Sequence, residues 1–331
     1  MSTNQPAPDG LVNFTELAEQ LRLRPTAPVP DNARGPAIPD SGYLLEEIAD
    51  GMFYLGDGSY QMMFVVTDDG VIALDALPTI GHNILRAIKS VTNRPIIQAV
   101  YSHQHADHVG AMSLYPDDVP RIAHRITAER LRKLGDPNRP VPTVEFEDSY
   151  TIQAGDHTLQ LDYKGPNHAE GNIFIYEPTR KVLMLIDVVF PGWVPFSNLA
   201  VSANVPGYVT AVGQTLDYPF EKLVGGHVTR TGTRQDVEVQ IEYLTDLRNT
   251  TEAALSSVDL GAIMAPIDTS NNWAVFRTYL DAVAAKSADE LIPRWVDRLG
   301  GADVFTLPNA WAMMEALRLD YGSLGPFGIA D

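Results

Sequence analysis

The sequence predicts an α/β protein with two β-sheets sandwiched between helices and closed by a helical tail. Three observations carry this. Strand-like and helix-like segments alternate, and the mixture occurs twice along the chain. Several strand-like segments are almost wholly apolar, as strands covered on both faces are. From about Val258 onward only helical spacing remains. On pattern alone, a single doubly wound sheet is the rival arrangement.

The chain has 331 residues, which suits one large domain or a main domain with an appended piece. A hydrophobic fraction of 45% is enough for a substantial core. With 42 acidic and 24 basic side chains the net charge is −18. Such a surface repels nucleic acid and anionic membranes, so neither is an expected partner. The absence of cysteine removes disulfides, thiolate ligands and thiol nucleophiles. The start, "MSTNQPAPDG", lacks the basic and apolar regions of a signal peptide. No segment reaches the roughly 20 apolar residues of a membrane span. A soluble, cytoplasmic protein is the expectation.

Taken in order, "NFTELAEQLRLR" reads as a short helix with Leu17, Leu21 and Leu23 available for contact. The Pro- and Gly-rich "PTAPVPDNARGPAIPDSG" should be an irregular arm, either wrapped on the body or tethering the helix. "MFYLG", "MMFVV" and "VIALDA" read as strands, the last two joined by the turn signal "TDDG". "TIGHNILRAIKSV" has Ile84, Leu85, Ile88 and Val91 at helical spacing and leads into the strand "PIIQAVYSH". "ITAERLRKLG" is a short helix closed by Gly135, and "VEFEDSYTIQAGDHTLQLDYKG" a strand meander. "NIFIYEPTRKVLMLID" is a hairpin with "EPTR" at its tip, and "TRQDVEVQIEYLTDLRNTTEAAL" the longest convincing helix. "WAVFRTYLDAVAAKS" and "AWAMMEALRLD" complete the tail. The expected division is an N-terminal helix and arm over 1–42, a catalytic core over 43–257 and a helical extension over 258–331.

The stretch "YSHQHADHVG" puts three of only eight histidines within six positions, at the end of a buried strand. His103 and His105 point the same way on an extended segment. Asp107 and His108 follow a small residue, where the chain can turn into a helix. A tight reversal then brings four potential ligands around one small volume. Imidazole suits zinc, and carboxylate suits zinc, iron or manganese. A lone histidine would more often be structural; four such groups together, without a cation, would face one another at a cost.

"HQHADH" resembles the His-X-His-X-Asp-His signature of the metallo-β-lactamase superfamily, and the resemblance runs from about Tyr43 to Leu244. Further along, His168 in "GPNHAEGN", Asp187 in "VLMLIDVVFPG" and His227 in "LVGGHVTRTG" resemble that family's later metal ligands, and Asp75 its supporting aspartate. The resemblance implies a four-layer αββα sandwich of two mixed sheets flanked by helices, here with a helical C-terminal extension. It implies two divalent metals: His103, His105 and His168 around the first, Asp107, His108 and His227 around the second, Asp187 bridging. Zinc is the expected metal, with iron and manganese open. Two departures stand out. Asn167-His168-Ala169 replaces the frequent Gly-His-Thr, and Ile186 precedes Asp187 where glycine is frequent.

A water shared by two cations becomes a hydroxide near neutral pH. The expected enzyme is therefore a dinuclear metal-dependent hydrolase in which that hydroxide attacks a carbonyl. Asp107 would orient the water and move a proton to the leaving group. The aromatic run "VVFPGWVPF" supplies Phe190, Trp193 and Phe196 as pocket walls, with Met62 and Met63 from "SYQMMFVV". Tyr208 is the candidate to reach a leaving oxygen. A moderately apolar small molecule follows, a lactone or other ester first. The alternatives are a β-lactam hydrolase or thioesterase, then a phosphoesterase, then a metal-stabilised binding protein without activity. The apolar tail segment around Trp311, Met313, Met314 and Leu317 suits a lid or a homodimer face.

Overall fold

The computed structural model describes residues 26–328, together with Glu16 and Glu19. The expected first helix, with Leu17, Leu21 and Leu23, therefore lies outside the described residues apart from those two glutamates, which are helical.

Two sheets form, which excludes the single doubly wound sheet. The first has seven strands in sequence order: β1 (Leu44–Ala49), β2 (Met52–Gly56), β3 (Gln61–Val66), β4 (Val71–Leu74), β5 (Ile96–Val100), β6 (Arg121–His124) and β7 (Val144–Phe146). Pairing is antiparallel from β1 to β4 and parallel from β4 to β7. The second sheet runs β12-β11-β10-β9-β8, from β8 (Ser149–Ala154), β9 (His157–Asp162), β10 (Phe174–Glu177), β11 (Val182–Met184) and β12 (Lys222–Val224). It is antiparallel except for the β11–β12 pair.

The apolar runs explain the layering. In β3, Met62 and Phe64 face the helix side, while Met63 and Val65 face the second sheet. Both faces are covered, so the strand carries no polar alternation. Helices α1 (Asn83–Val91), α2 (Ala106–Val109) and α3 (Arg125–Leu134) belong to the first half. In α1 the buried face is Ile84, Ala87 and Ile88, whereas Val91 is exposed at its end. Gly135 closes α3 in the left-handed conformation that favours glycine.

The second half adds α4 (Val205–Gln214), α5 (Arg234–Ser257), α6 (Leu260–Met264), α7 (Asn272–Trp295) and α8 (Ala302–Leu319). A capping box between Thr233 and Asp236 starts α5. Tyr243, Leu247 and Tyr279 of α5 and α7, with Met314 and Leu317 of α8, join Phe174, Leu183 and Leu223 of the second sheet in one apolar core. The helical extension thus completes the outer layer of the αββα sandwich. No helix among the described residues is long and apolar enough to cross a membrane.

The irregular arm wraps the body. The Ala33 carbonyl accepts from Trp193 Nε1 at 2.9 Å and Thr229 Oγ1 at 3.0 Å. The Ala27 amide donates to Asp303 at the start of α8, and Asn32 donates to the Arg298 carbonyl.

Candidate metal centre

The site assembles where parallel strands end, the usual place for binding groups in layered α/β folds. Asp75 follows β4, the "HQHADH" turn follows β5, Asp187 follows β11 and His227 follows β12. The two sheets are tied there by Gln61, which is fully buried at the start of β3. Its amide Nε2 donates to the carbonyls of Val228 at 2.9 Å and Arg230 at 3.0 Å, and Oε1 accepts from Gly225 N at 3.2 Å. Gln61 N also donates to the Gly226 carbonyl at 2.8 Å. These bonds place His227 opposite the histidine turn.

Two groups of potential ligand atoms converge: His103, His105, His168 and Asp187 in one, Asp107, His108 and His227 in the other. Asp187 stands between them. Its Oδ2 lies 3.1 Å from His168 Nε2, 3.2 Å from His108 Nε2 and 3.6 Å from His103 Nε2, and its Oδ1 lies 3.1 Å from His227 Nε2. His105 Nδ1 is 2.8 Å from His168 Nε2, and His108 Nε2 is 3.2 Å from His227 Nε2. Asp107 Oδ2 lies 3.6 Å from His108 Nε2 and 3.8 Å from His227 Nε2.

The donor set fits cations. His168 Nδ1 donates to the Ala200 carbonyl at 2.7 Å and His227 Nδ1 to the Ser59 carbonyl at 3.1 Å. In the neutral rings, each Nε2 is then a bare lone pair aimed at a carboxylate oxygen. His103 Nε2 and Asp187 Oδ1 are buried without a hydrogen-bond partner among the described residues. Acceptors facing acceptors in a buried space repel unless a proton or a cation lies between them. Protonation is opposed at two of the rings. Burial, with His105 and His168 adjacent, holds His103 well below its ordinary range, and burial and His168 push His105 down to about 4. At His108, burial pulls downward but Asp187 outweighs it and raises the ring to about 9. The imidazoles of His108 and His168 overcome burial at Asp187 and hold it well below the carboxylate range. A pair of metals would satisfy these groups, and the two clusters constitute a dinuclear metal-binding site.

The backbone around the site is strained. Asp75 and Asp187 both sit in the left-handed region, at φ 69° and 63°. Asp75 is buried and accepts from Ser102 N at 2.7 Å, and burial raises its carboxyl to about 7. It supports the histidine turn from beneath. Ile186 is accommodated by a neighbour. A Cβ on Gly226, whose φ is 91°, would meet Ile186 Cγ2 at 2.7 Å and the ring of His108 at 3.2 Å.

A left-handed helical turn over residues 198–201 is the most unusual feature. Asn198, Leu199, Ala200 and Val201 all have φ between 51° and 61°. L-residues disfavour this conformation, and consecutive ones are rarer still. The turn presents the Ala200 carbonyl to His168 and is clamped from α8. Buried Asn309 accepts from Leu199 N at 2.8 Å and donates to the Pro195 carbonyl at 2.9 Å.

A cleft of about 400 Å³ opens over the histidines, lined by His105, Asp107, His168, Asp187 and His227 with Tyr60, Phe190, Phe196 and Val201 among its walls. Trp193 faces an adjoining cavity with Phe190 and Phe196. Three expectations are corrected. Met62 and Met63 are fully buried, one on each face of β3, and line no part of the cleft. Tyr208 is also fully buried, because α4 turns it inward; its hydroxyl donates to the Val188 carbonyl at 2.9 Å and accepts from Gln240 at 3.2 Å. The tyrosine facing the cleft is Tyr60, 4.8 Å from the His227 ring between centroids. Burial, with Asp107 nearby, raises its phenol, so it stays protonated. Ser59, Tyr60, Ala200 and Val201 went unread in the sequence; only the turn-rich "GDGSY" ahead of a strand marks the first two as a loop.

A family model described as "Metallo-beta-lactamase superfamily" matches residues 55–249, a stretch that contains all seven candidate ligands. The 2,4-dinitroanisole O-demethylase subunit alpha of a Nocardioides species is 27% identical over 231 residues, covering 68% of this chain and 67% of that protein. The bovine acyl-coenzyme A thioesterase MBLAC2 is 26% identical over 253 residues, covering 61% of this chain and 87% of its own. Among solved structures, a metallo-beta-lactamase from Pontibacter korlensis superposes with a TM-score of 0.53 at 21% identity, covering 61% of this chain and 99% of that one. That likeness concerns the fold.

Proposed function

This chain belongs to the metallo-beta-lactamase superfamily and is a metal-dependent hydrolase; we propose that it cleaves a neutral, moderately apolar small molecule, a compact thioester or lactam ahead of a lactone. The observation that carries this is the Asp187 carboxylate, set among four imidazoles at the floor of an aromatic cleft lined, among the described residues, by no lysine or arginine. The lactone preference read from the sequence yields to the alternatives because the similar proteins are named for thioester and β-lactam substrates. The phosphates of an acyl-coenzyme A would find no cation among the lining residues, so a thioester with a small, uncharged thiol portion suits the cleft better.

Two zinc ions fit the all-nitrogen-and-oxygen donor set, and bound there they supply Lewis acidity and a lowered pKa for water. The chain's own residues do the rest. Asp107 takes the proton of the attacking water and delivers it to the leaving sulfur, nitrogen or oxygen. The water oxygen bonds to the acyl carbon as the bond to the leaving atom breaks. The Tyr60 phenol donates a hydrogen bond to the carbonyl or leaving atom. Phe190, Phe196 and Val201 exclude bulk water.

A second reading, the hydrolysis of an activated methyl aryl ether to a phenol and methanol, is favoured by the aromatic, uncharged cleft and by the O-demethylase subunit among the relatives. One experiment tests both. Metals are quantified in the natively purified protein, which is then assayed on S-phenyl thioacetate, an uncharged N-aryl β-lactam, a γ-lactone, 2,4-dinitroanisole and 4-nitrophenyl phosphate. About two metals per chain with thioester or lactam turnover is the expected result. Turnover of the phosphate alone defeats acyl hydrolysis, and turnover of the anisole alone replaces it with the second reading.

A further inference from the structure

Beside the histidine cleft lies a second apolar cavity of about 270 Å³. The two share Ser59, Phe190, Phe196 and His227 in their linings, so they adjoin. The far wall is Trp193 and Phe305, the latter from α8 in the helical extension. Several details show that this wall is built. Trp193 turns its polar edge away, because Nε1 donates to the Ala33 carbonyl of the arm at 2.9 Å. Its ring lies over Gly300, where a Cβ would meet Trp193 Cε3 at 2.6 Å. Phe196 and Phe305 meet with ring centroids 4.9 Å apart. Phe196 nevertheless remains 50% exposed, and Val201 at the cleft mouth 59% exposed. Large apolar groups left in water around a concave apolar space mark a binding surface.

We propose that this annexe is a substrate subsite. It takes a neutral apolar arm, an aromatic ring or an alkyl chain, while the bond to be broken lies among the histidines. At about 30 Å³ per atom, the volume of one liquid water, the arm has about nine non-hydrogen atoms. Among the described residues the lining carries no lysine, arginine, aspartate or glutamate, so a charged arm would lose its hydration without compensation. This inference rests on the hydrolase reading and narrows it: the substrate is bipartite, with specificity set by an aromatic wall partly contributed by α8.

The test has one readout that needs no turnover. Binding of 1-naphthol to the metal-free full chain is followed by calorimetry. Phe305→Asp and Phe196→Ala, on facing walls, are each expected to weaken it about tenfold. Val304→Asp, on the exposed side of the same helix, leaves it within about twofold. Should Phe305→Asp fail to fold, the half-exposed Phe196 carries the test. In turnover, Phe305→Asp should raise the KM for S-methyl thiooctanoate about tenfold, with kcat within about twofold. S-methyl thioacetate, which has no arm to place in the annexe, should be unaffected in KM by Phe305→Asp. Naphthol binding indifferent to both phenylalanines, or an equal rise in KM for the two thioesters, overturns the subsite. Phe305-dependent naphthol binding without any thioester or lactam turnover would sustain the subsite while removing the acyl-hydrolase reading.

Discussion

Replacing Asn309 by leucine should loosen a metal site that Asn309 never touches. The left-handed turn over 198–201 costs about 1–2 kcal/mol per residue, about 4–8 kcal/mol in all. Asn309→Leu removes both bonds of the clamp and leaves the Leu199 N–H and the Pro195 carbonyl buried and unpaired. Each orphaned group costs about 1–3 kcal/mol, so the loss of about 2–6 kcal/mol rivals the strain that the clamp restrains. The turn should relax toward right-handed backbone and withdraw the Ala200 carbonyl from His168 Nδ1, now 2.7 Å away. A histidine deprived of its outer partner loses its fixed tautomer and orientation, typically about 10–100-fold in metal affinity. The assay is zinc titration of the metal-free protein against a chromophoric chelator, with urea unfolding measured in parallel. Thr306→Val is the control, since it deletes another buried polar contact of α8, the 3.2 Å bond to Tyr243, without touching the turn. If Asn309→Leu lowers stability as Thr306→Val does while zinc affinity stays unchanged, the turn has no hold on His168 and the reasoning fails.

Three further outcomes are expected. Gly226→Ala forces an alanine to φ 91° and drives its methyl into Ile186 and the His108 ring; it should lower stability by about 2–4 kcal/mol in urea unfolding and weaken metal binding, and a variant within 0.5 kcal/mol of wild type would contradict the geometry. Asp187→Asn removes the carboxylate that lies within 3.6 Å of His103, His108, His168 and His227, so metal content should fall from about two per chain to about one or fewer, and two retained metals would count against a bridging place for it. In the metal-free protein, Asp187 outweighs burial and raises His108 from 6.5 to about 9, so the stability this contributes is fully present below pH 6.5 and lost as pH rises through 9. Burial raises Asp75 from 3.8 to about 7, so its contribution falls with the same sign only up to about pH 7; above that the decline is that of His108, and the urea midpoint should fall from pH 6.5 to 9 with a loss of about 3 kcal/mol, a flat profile refuting the coupling.

Much of the centre was legible because its ligands are packed into one strand-to-helix turn. His103, His105, Asp107 and His108 lie within six residues, and α2 begins where the small Ala106 allows. Asp187 and His227 were legible only by their order behind that turn, since a lone aspartate or histidine at a strand end has many uses. The errors were spatial. Tyr208 follows Asp187 closely in sequence, but α4 rotates it into the core. Met62 and Met63 sit beside the cleft-facing Tyr60, yet period-2 alternation sends them to opposite covered faces. Tyr60 reaches the site through an isolated bridge to His227, a contact no local pattern encodes. The left-handed turn is equally silent. Its sequence, Asn-Leu-Ala-Val, carries only one residue tolerant of that conformation, and its clamp lies 110 positions away from Leu199.

These errors have a common source with the question of substrate. The stretch matched by the family model ends at residue 249 and begins at 55. Every candidate ligand lies inside it. Phe305, which walls the annexe, Asn309, which clamps the turn, and Ala33, which holds the edge of Trp193, all lie outside. The shared layers therefore account for where the cations go, because strand ends and the bonds of Gln61 fix the imidazoles. Most of the surface that a substrate meets lies in the matched stretch too, but Phe305 on the annexe wall and the supports at Ala33 and Asn309 come from outside it. Binding energy that discriminates one substrate from another comes from that surface rather than from the metals. A relative's substrate is thus a guide to the bond broken and a poor guide to the groups on either side of it. The helical extension is where this chain's own specificity is to be sought.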